Sequence, residues 1–479
     1  MRMLIDGEWV DAADGRVDEI RDKATGALIE TAPHAGPQDV AHAVEAAQRG
    51  RRTMAAMPSY ERAALIQRAA DALQAEHATL SLLLARENGK TLREIRSELN
   101  AAIRIFRGYA EEAKRVFGRA TPLDSVPGQA GSLAVTLRQP RGVIAAIVPF
   151  NYPAELWAHK IAAGLAAGNA VITKPPEECP LTIGRIAEFL EAAGLPPGAH
   201  QVLTGPGETV GAALVRAPGV HMISMTGSTE AGRQILSDAA NLLKKVHLEL
   251  GGNDATIVCE DADVQETAAA LVAGRFTSGN GQICCAVKRV LVDRKIYEPL
   301  LAALLERTRT LRVGNPVDEA TDVGPLISEQ AARKVEAQVA RAVAEGATVV
   351  AGGLRNGAYF EPTVLTGLPA ESPALQEEIF GPVLPLIPFD QFEQALSAAN
   401  LGPYGLQAAI FTRDLKRVMQ AFQTLDVGTV VTNHSTAIRL ENLPFGGTKM
   451  SGNAREGLHE TLLDMTEQKT LLMSGVFPT

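Results

Sequence analysis

Residues 143–174 read VIAAIV-PFNYP-AELWAHKIAAGLAA-GN-AVITK. Val143–Val148 is a short unbroken apolar run, strand-like, and Ala170–Thr173 is another. Between them, Ala154–Ala167 has the length and spacing of a helix. The same alternation continues downstream. Leu181–Ala193, Glu208–Val215 and Glu230–Ala239 read as helices, and Gln201–Thr204, His221–Met225 and Val246–Leu250 as strands. Nearly continuous apolar strands taking turns with helices imply a parallel sheet covered on both faces. Ligands of such sheets sit beyond the carboxyl ends of the strands, so the polar residues there are the first candidates for chemistry.

Working outward, residues 58–88 place Leu65, Ala69, Leu73, Leu80 and Leu84 at helical spacing, with Asn88-Gly89 as a stop. Thr91 and Glu94 fit a capping box for a further helix that carries Ile95, Leu99, Ile103, Phe106 and Ala110 on one face. These stripes are core faces. Downstream, Gly251-Gly252 opens a second alternating series that runs to about Val431. Leu133, Val135 and Leu137 alternate with Ser132, Ala134 and Thr136, and Met465–Leu472 returns to strand character. Two strands outside both series suggest a projecting element that joins subunits. A chain of 479 residues exceeds the roughly 250 that one core supports, which agrees with two domains.

The net charge is −9, with no dense run of lysine or arginine, so nothing electrostatic favours nucleic acid or anionic lipid. The most basic stretch, Arg49-Gly-Arg-Arg52, reads as a solvated loop or helix end. The N-terminus is apolar for too few residues to be a signal peptide, and no apolar run approaches the ~20 residues of a membrane span. Four cysteines, Cys179, Cys259, Cys284 and Cys285, make no disulfide framework and read as free thiols in a reducing cytoplasm. The nine histidines form no ligand-spaced cluster, so no metal site is expected.

Five segments have residues suited to chemistry. In Ser278-Gly-Asn-Gly-Gln-Ile-Cys284-Cys285 a thiol follows a glycine-rich turn, where backbone N–H groups can stabilise a thiolate or an oxyanion; a small core cysteine is the plainer alternative. Glu249, in His247-Leu-Glu249-Leu-Gly-Gly-Asn253, lies inside an apolar strand. It is a paired carboxylate, a base with a raised pKa, or a strand-end residue facing water. Asn151, in Pro149-Phe150-Asn151-Tyr-Pro153, is a turn residue or an amide donor to developing negative charge. Lys174 and Glu177 follow a strand and can bind ribose hydroxyls, while Gly227 and Ser228 open a helix that can take a phosphate. Gly205-Pro-Gly207 is no better a match to G-x-G-x-x-G, and the ordinary dinucleotide fingerprint is absent.

Taken together, these segments resemble the aldehyde dehydrogenase superfamily over almost the whole chain. Gly281-Gln-Ile-Cys284 resembles its cysteine signature and Leu248-Glu249-Leu-Gly-Gly-Asn253 its glutamate signature. Pro149–Pro153, Glu377-Glu378-Ile-Phe380-Gly-Pro382 and Pro444-Phe-Gly-Gly447 with Ser451-Gly452 resemble further motifs in the family's order. The resemblance implies two doubly wound parallel-sheet domains, for cofactor and catalysis, plus a small projecting β element for oligomerisation. It implies a cofactor domain over 1–118 and 139–250 and a catalytic domain over 251–445. The oligomerisation element would take 119–138 and 464–479, with 446–463 returning to the cofactor domain.

By the same resemblance Cys284 is the nucleophile, Asn151 and the Cys284 N–H hold the oxyanion, and Glu249 activates the water that hydrolyses a thioester. Lys160 and Glu467 match positions that relay protons, with a structural salt bridge as the alternative for Lys160. Phe150, Lys174, Glu177, Gly207, Gly227, Ser228, Gly251, Glu378 and Phe380 are the implied cofactor contacts. Glu177 would repel a 2′-phosphate, so NAD is expected, with NADP possible beside Lys174.

The wording around Asn253-Asp254, Ala286–Arg289 and Arg439–Pro444 resembles the branch of lactaldehyde, phosphonoacetaldehyde and non-phosphorylating glyceraldehyde-3-phosphate dehydrogenases. That implies a small polar aldehyde, hydroxylated or acid-tailed. A succinate-semialdehyde-type or broad-specificity enzyme is the alternative. Ile283, Cys285, His434 and Arg439 are the candidate substrate residues, with pairing of Arg439 to Glu441 or to a neighbouring subunit as the alternative. Phosphate-binding relatives tend to carry arginine where this chain has Ile283, which speaks against a phosphorylated substrate. Glu249 argues against transfer to coenzyme A, and Cys284, Glu249 and Asn151 together argue against a non-catalytic descendant. The expected partners are a small aldehyde and further copies of the chain, as homodimer or homotetramer.

Overall fold

The computed structural model describes residues 1–478. It contains two seven-stranded sheets, each mostly parallel and flanked by helices. In the first the order is Lys245–Glu249, Met222–Thr226, Val143–Ile147, Ala170–Lys174, His200–Val202, Met3–Ile5 and Glu8–Val10. The first five run parallel, and the last two join antiparallel at the edge.

The strand period explains how both faces are covered. Ile144, Ala146 and Val148 pack in one core with Trp157 and Ile161 of the helix Pro153–Ala166, whereas Val143, Ala145 and Ile147 pack in the core on the other face. Trp157 is fully buried, its indole N–H donating to Thr173 Oγ1 at 2.9 Å.

The second sheet repeats the plan, in the order Thr348–Ala351, Thr363–Thr366, Val383–Phe389, Arg289–Asp293, Ala255–Val258, Gln407–Phe411 and Thr429–Thr432. Only the first pair is antiparallel. Leu291 faces one core, and Val290 and Val292 the other. The projecting strands are also real: Thr466–Met473 pairs with Leu133–Pro140, which pairs with Arg119–Pro122, all antiparallel.

Some local expectations need correction. The helix expected over 58–88 is two helices, Ser59–Ala75 and His77–Asn88, broken at Glu76 (φ −94°, ψ 9°), and Gly89 ends the second with φ 94°. Residues 207–211 form a wide π-helical turn ahead of the short helix Ala212–Arg216. Arg49–Arg52 lies within the helix Pro37–Ala56, neither a loop nor its end, because Gly50 is buried against the backbone of Gly198. Thr91 Oγ1 does accept from the Glu94 N–H at 3.4 Å, but the Glu94 carboxylate does not return the bond. It is used elsewhere.

Candidate active site

Asn151 follows the strand Val143–Ile147 at the point where the strand order reverses, since later strands add on one side and then on the other. There it lines a cavity of about 280 Å³ together with Cys284. Its side chain is buried, and Oδ1 has no hydrogen-bond partner.

Cys284 reaches the cavity from a strained loop. Gly279, Asn280 and Gly281 take successive φ values of 55°, 52° and 75°, which glycine adopts freely and asparagine tolerates. Asn280 is held there from three sides: Nδ2 donates to the carbonyls of Gly89 and Pro325, and Oδ1 accepts from the Gly324 N–H. Cys284 is partly exposed, while Cys179, Cys259 and Cys285 are buried, and all four thiols are free. The Cys285 S–H facing its sulfur holds the Cys284 thiol below its usual pKa, helped by Lys288 and Arg439 against burial and Glu378.

Glu249 ends the strand Lys245–Glu249 and is 2% exposed, with no partner for either carboxylate oxygen. Burial, and then the neighbouring Glu456, push it well above the usual carboxylate range, although Arg439 and Lys160 pull the other way. Its surroundings demand glycine. A Cβ at Gly452, which bridges to Glu249 with φ 133°, would collide with the Leu248 carbonyl.

Lys160 is fully buried behind this carboxyl, donating to Thr226 Oγ1 at 2.8 Å and Glu456 Oε1 at 3.0 Å. Glu467 does not join it. It lies on the exposed strand Thr466–Met473, accepting from Gln139 Nε2 at 2.7 Å, and the carboxylate that meets Lys160 is Glu456. Burial alone would raise Glu456, but Lys160 and Arg439 hold it well below the usual range. Arg439 is therefore not paired with Glu441, which takes Arg104 instead; Arg439 Nη2 donates to Glu456 Oε2 at 2.6 Å. Ile283, Cys285 and Arg439 line the cavity, whereas His434 is exposed outside it.

The expected cofactor residues fall into local clusters. Lys174 Nζ lies 3.1 Å from Glu177 Oε2, which also accepts from the Gly207 N–H at 2.8 Å. The Gly227 N–H donates to the Glu249 carbonyl at 3.1 Å, and Ser228 caps the helix Thr229–Ala240. Glu378 accepts from the Gly252 N–H at 3.3 Å and from Lys288 at 2.8 Å, and a Cβ at Gly251 would collide with it. The Phe150 and Phe380 rings meet edge to face at 5.9 Å. A lysine–carboxylate pair, a capped helix N-terminus and a bare glycine edge suit a dinucleotide.

Several site residues escaped the sequence reading: Glu456, Lys288, Tyr152 and Glu94, whose carboxylate accepts from both Tyr152 Oη and the Gly279 N–H. Tyr152 and Lys288 stand inside the matched segments Pro149–Pro153 and Ala286–Arg289, Glu456 comes four residues after the matched Gly452, and Glu94 reads only as a helix cap. The active side of the second sheet is also its amino edge, around Asn253-Asp254 and Arg289. A larger crevice of about 990 Å³ at the carboxyl ends, beside Arg294 and Asp390, holds none of these residues.

The chain matches the profile of the Aldehyde dehydrogenase family over residues 9–471. The chain belongs to that family. It is 39% identical over 472 residues to the 3-sulfolactaldehyde dehydrogenase of Priestia aryabhattai, covering 98% of both chains. It is 36% identical to succinate-semialdehyde dehydrogenase [NADP(+)] GabD of Escherichia coli strain K12, over 97% of this chain and 96% of that one. A crystal structure of an aldehyde dehydrogenase from Brucella melitensis biovar abortus 2308 superposes with a TM-score of 0.95 at 35% identity, covering 99% and 97% of the two chains. This aldehyde dehydrogenase is thus an oxidoreductase of a family that uses NAD(P), with the α/β fold expected from sequence. No helix among its described residues is long and apolar enough to cross a membrane.

Proposed function

We propose that this aldehyde dehydrogenase oxidises a small polar aldehyde to its carboxylic acid with NAD, through a thiohemiacetal and a thioester on Cys284. The observation that carries this reading is the meeting of Cys284 and Asn151 on one cavity, and the buried, partnerless carboxyl of Glu249 supports it.

The Cys284 thiolate attacks the aldehyde carbon. The oxygen that becomes negative lies against the Asn151 amide and the Cys284 backbone N–H, each such donor contributing ~2.7–4 kcal/mol to the barrier. A dinucleotide held by the cofactor residues would supply a hydride acceptor, and loss of hydride from the thiohemiacetal carbon would leave a thioester on Cys284. Glu249 takes a proton from water, which then attacks the thioester carbon and releases the acid and the thiolate. Lys160 and Glu456 provide the proton's onward route, with Glu456 in the role first expected of Glu467.

Lys174 and Glu177 would hold the adenosine ribose, and Ser228 the pyrophosphate. Gly251, Glu378 and Phe380 would flank the nicotinamide half. The Glu177 carboxylate disfavours a 2′-phosphate, which is the reason for NAD. A cavity of about 280 Å³ admits only a short aldehyde, and Ser97, Arg104 and Glu441 give it a polar end. The relatives' names, sulfolactaldehyde and succinate semialdehyde, describe short aldehydes with polar tails. We further read the enzyme as a homodimer or homotetramer of the cytoplasm, where Cys284 stays reduced.

The test is NADH formation at 340 nm against a panel of aldehydes. Short hydroxylated or acid-tailed members should give the highest kcat/KM, and Cys284→Ser should abolish turnover. A best kcat/KM with long alkyl or aromatic aldehydes overturns the substrate class.

A further inference from the structure

Four carboxylates line the substrate cavity: Glu94, Glu98, Glu155 and Glu441. Three of them are committed. Glu94 accepts from Tyr152 Oη at 2.7 Å and the Gly279 N–H at 2.8 Å. Glu98 is ion-paired with the buried Lys90 and accepts from the Ala154 N–H at 2.8 Å. Glu441 is ion-paired with Arg104 at 2.5 Å.

Glu155 differs. Its side chain is 15% exposed, yet no donor among the described residues reaches its carboxylate within hydrogen-bond distance. It sits in the first turn of the helix Pro153–Ala166, where an acidic side chain commonly returns to the helix cap, and this helix has no side-chain cap bond. The nearest cation is Arg439, whose Nε stays 3.8 Å from Glu155 Oε1 because its Nη2 is taken by Glu456. Nε of Arg439 is a buried N–H donor left without an acceptor. The Glu155 carboxyl and the Arg439 guanidinium thus face one cavity 3.8 Å apart, paired by charge with no hydrogen bond between them.

We propose that Glu155 is the specificity-determining residue of this site, reading a hydroxyl group on the aldehyde, with Arg439 as its counterpart. A hydroxyl is the simplest group that serves both, since it donates to Glu155 and accepts from Arg439. A purely anionic tail would meet Arg439 but be repelled by Glu155, and an alkyl tail would leave both unsatisfied. Burial, opposed by Arg439, raises the Glu155 carboxyl to about 7, so desolvation already weighs on it before substrate enters. A site built around such a hydrogen bond rejects an analogue lacking the hydroxyl far more strongly than a shape-filling pocket does.

The inference rests on the aldehyde oxidation proposed above, and matched substrates separate the two. The assay compares kcat/KM for 2-hydroxypropanal against propanal and for 3-hydroxybutanal against butanal, with 3-aminopropanal and succinate semialdehyde alongside. The wild type should favour a hydroxylated member over its partner by about tenfold or more, and Glu155→Leu should bring that ratio close to one. If the leucine variant does not fold, Glu155→Ala is judged by the same ratio. An unchanged ratio in the folded variant, a wild-type ratio near one, or a preference for the amino or acid-tailed aldehyde overturns the assignment while leaving aldehyde oxidation intact. Absence of NADH with every member in the wild type overturns the underlying reading instead.

Discussion

Lys160 Nζ lies 3.0 Å from Oε1 of Glu456, and both side chains are wholly shut off from solvent. Removing one member of such a pair strands the other charge in a medium that cannot solvate it, at a cost of about 3–5 kcal/mol. Glu456→Gln should therefore lower the chemical denaturation midpoint sharply and slow turnover. Glu467→Gln, on the exposed strand, should change stability by no more than about 0.5 kcal/mol and leave kcat alone. The folded state holds Glu456 below its usual pKa, so its stabilisation is present above the carboxylate range and lost as pH falls through the lowered value. The stability gap between wild type and Glu456→Gln should accordingly close in acid.

Asn151→Ala should lower kcat by about 10²–10³, the effect of deleting one donor to an oxyanion, with a much smaller change in KM. Single-turnover NADH formation is the measurement, because the loss should appear before the thioester forms.

Glu249 should act one step later. Glu249→Gln should retain a burst of NADH equal to the enzyme concentration and then nearly stop. Only the ionised carboxyl accepts a proton, and burial raises its pKa. Wild-type steady-state turnover should therefore climb with pH above the ordinary carboxylate range. The facing charges of Glu456, Arg439, Lys160 and Cys284 are common to both proteins, so loss of that limb in Glu249→Gln assigns it.

Glu177 is the proposed discriminator between cofactors. Glu177→Ser should shift the NAD to NADP ratio of kcat/KM toward NADP by about tenfold or more, since it removes a charge opposed to the 2′-phosphate. Lys174, freed from its 3.1 Å contact, would then meet that phosphate.

Leu137 and Leu471, each 59% exposed, share one face of the paired strands, and Leu472, 58% exposed, lies on the opposite face, apolar surface of the kind an interface covers. Leu471→Glu with Leu472→Glu should reduce the mass seen by light scattering in the homo-oligomer proposed above.

The strand and helix order was legible because apolar periodicity is local: Val143–Ile147 announces a strand whatever lies around it. Cys284, Glu249 and Asn151 were legible only in combination: each alone has a plain structural alternative, and it is the set of segments that resembles the family's signatures. The break at Glu76 was not, since Leu65–Leu84 keeps an apolar stripe across it. Glu94 was misread for a related reason. Its spacing from Thr91 satisfies a capping box, but Tyr152 and Gly279 compete for the same carboxylate and win.

By itself, then, the chain's pattern of apolar and polar residues determined two parallel sheets and a further strand pair, while the resemblance of short segments to a family's signatures named the thiol, carboxyl and amide to suspect. Tertiary structure alone decided which charges meet. Lys160 and Glu456 are 296 residues apart, and nothing in either neighbourhood marks the other. Likewise only packing leaves Glu155 without a donor while Glu98, on another helix, is satisfied. A buried charge is stabilised by whatever partner the packed core brings within about 3 Å, and that is a property of the fold rather than of any local stretch of residues.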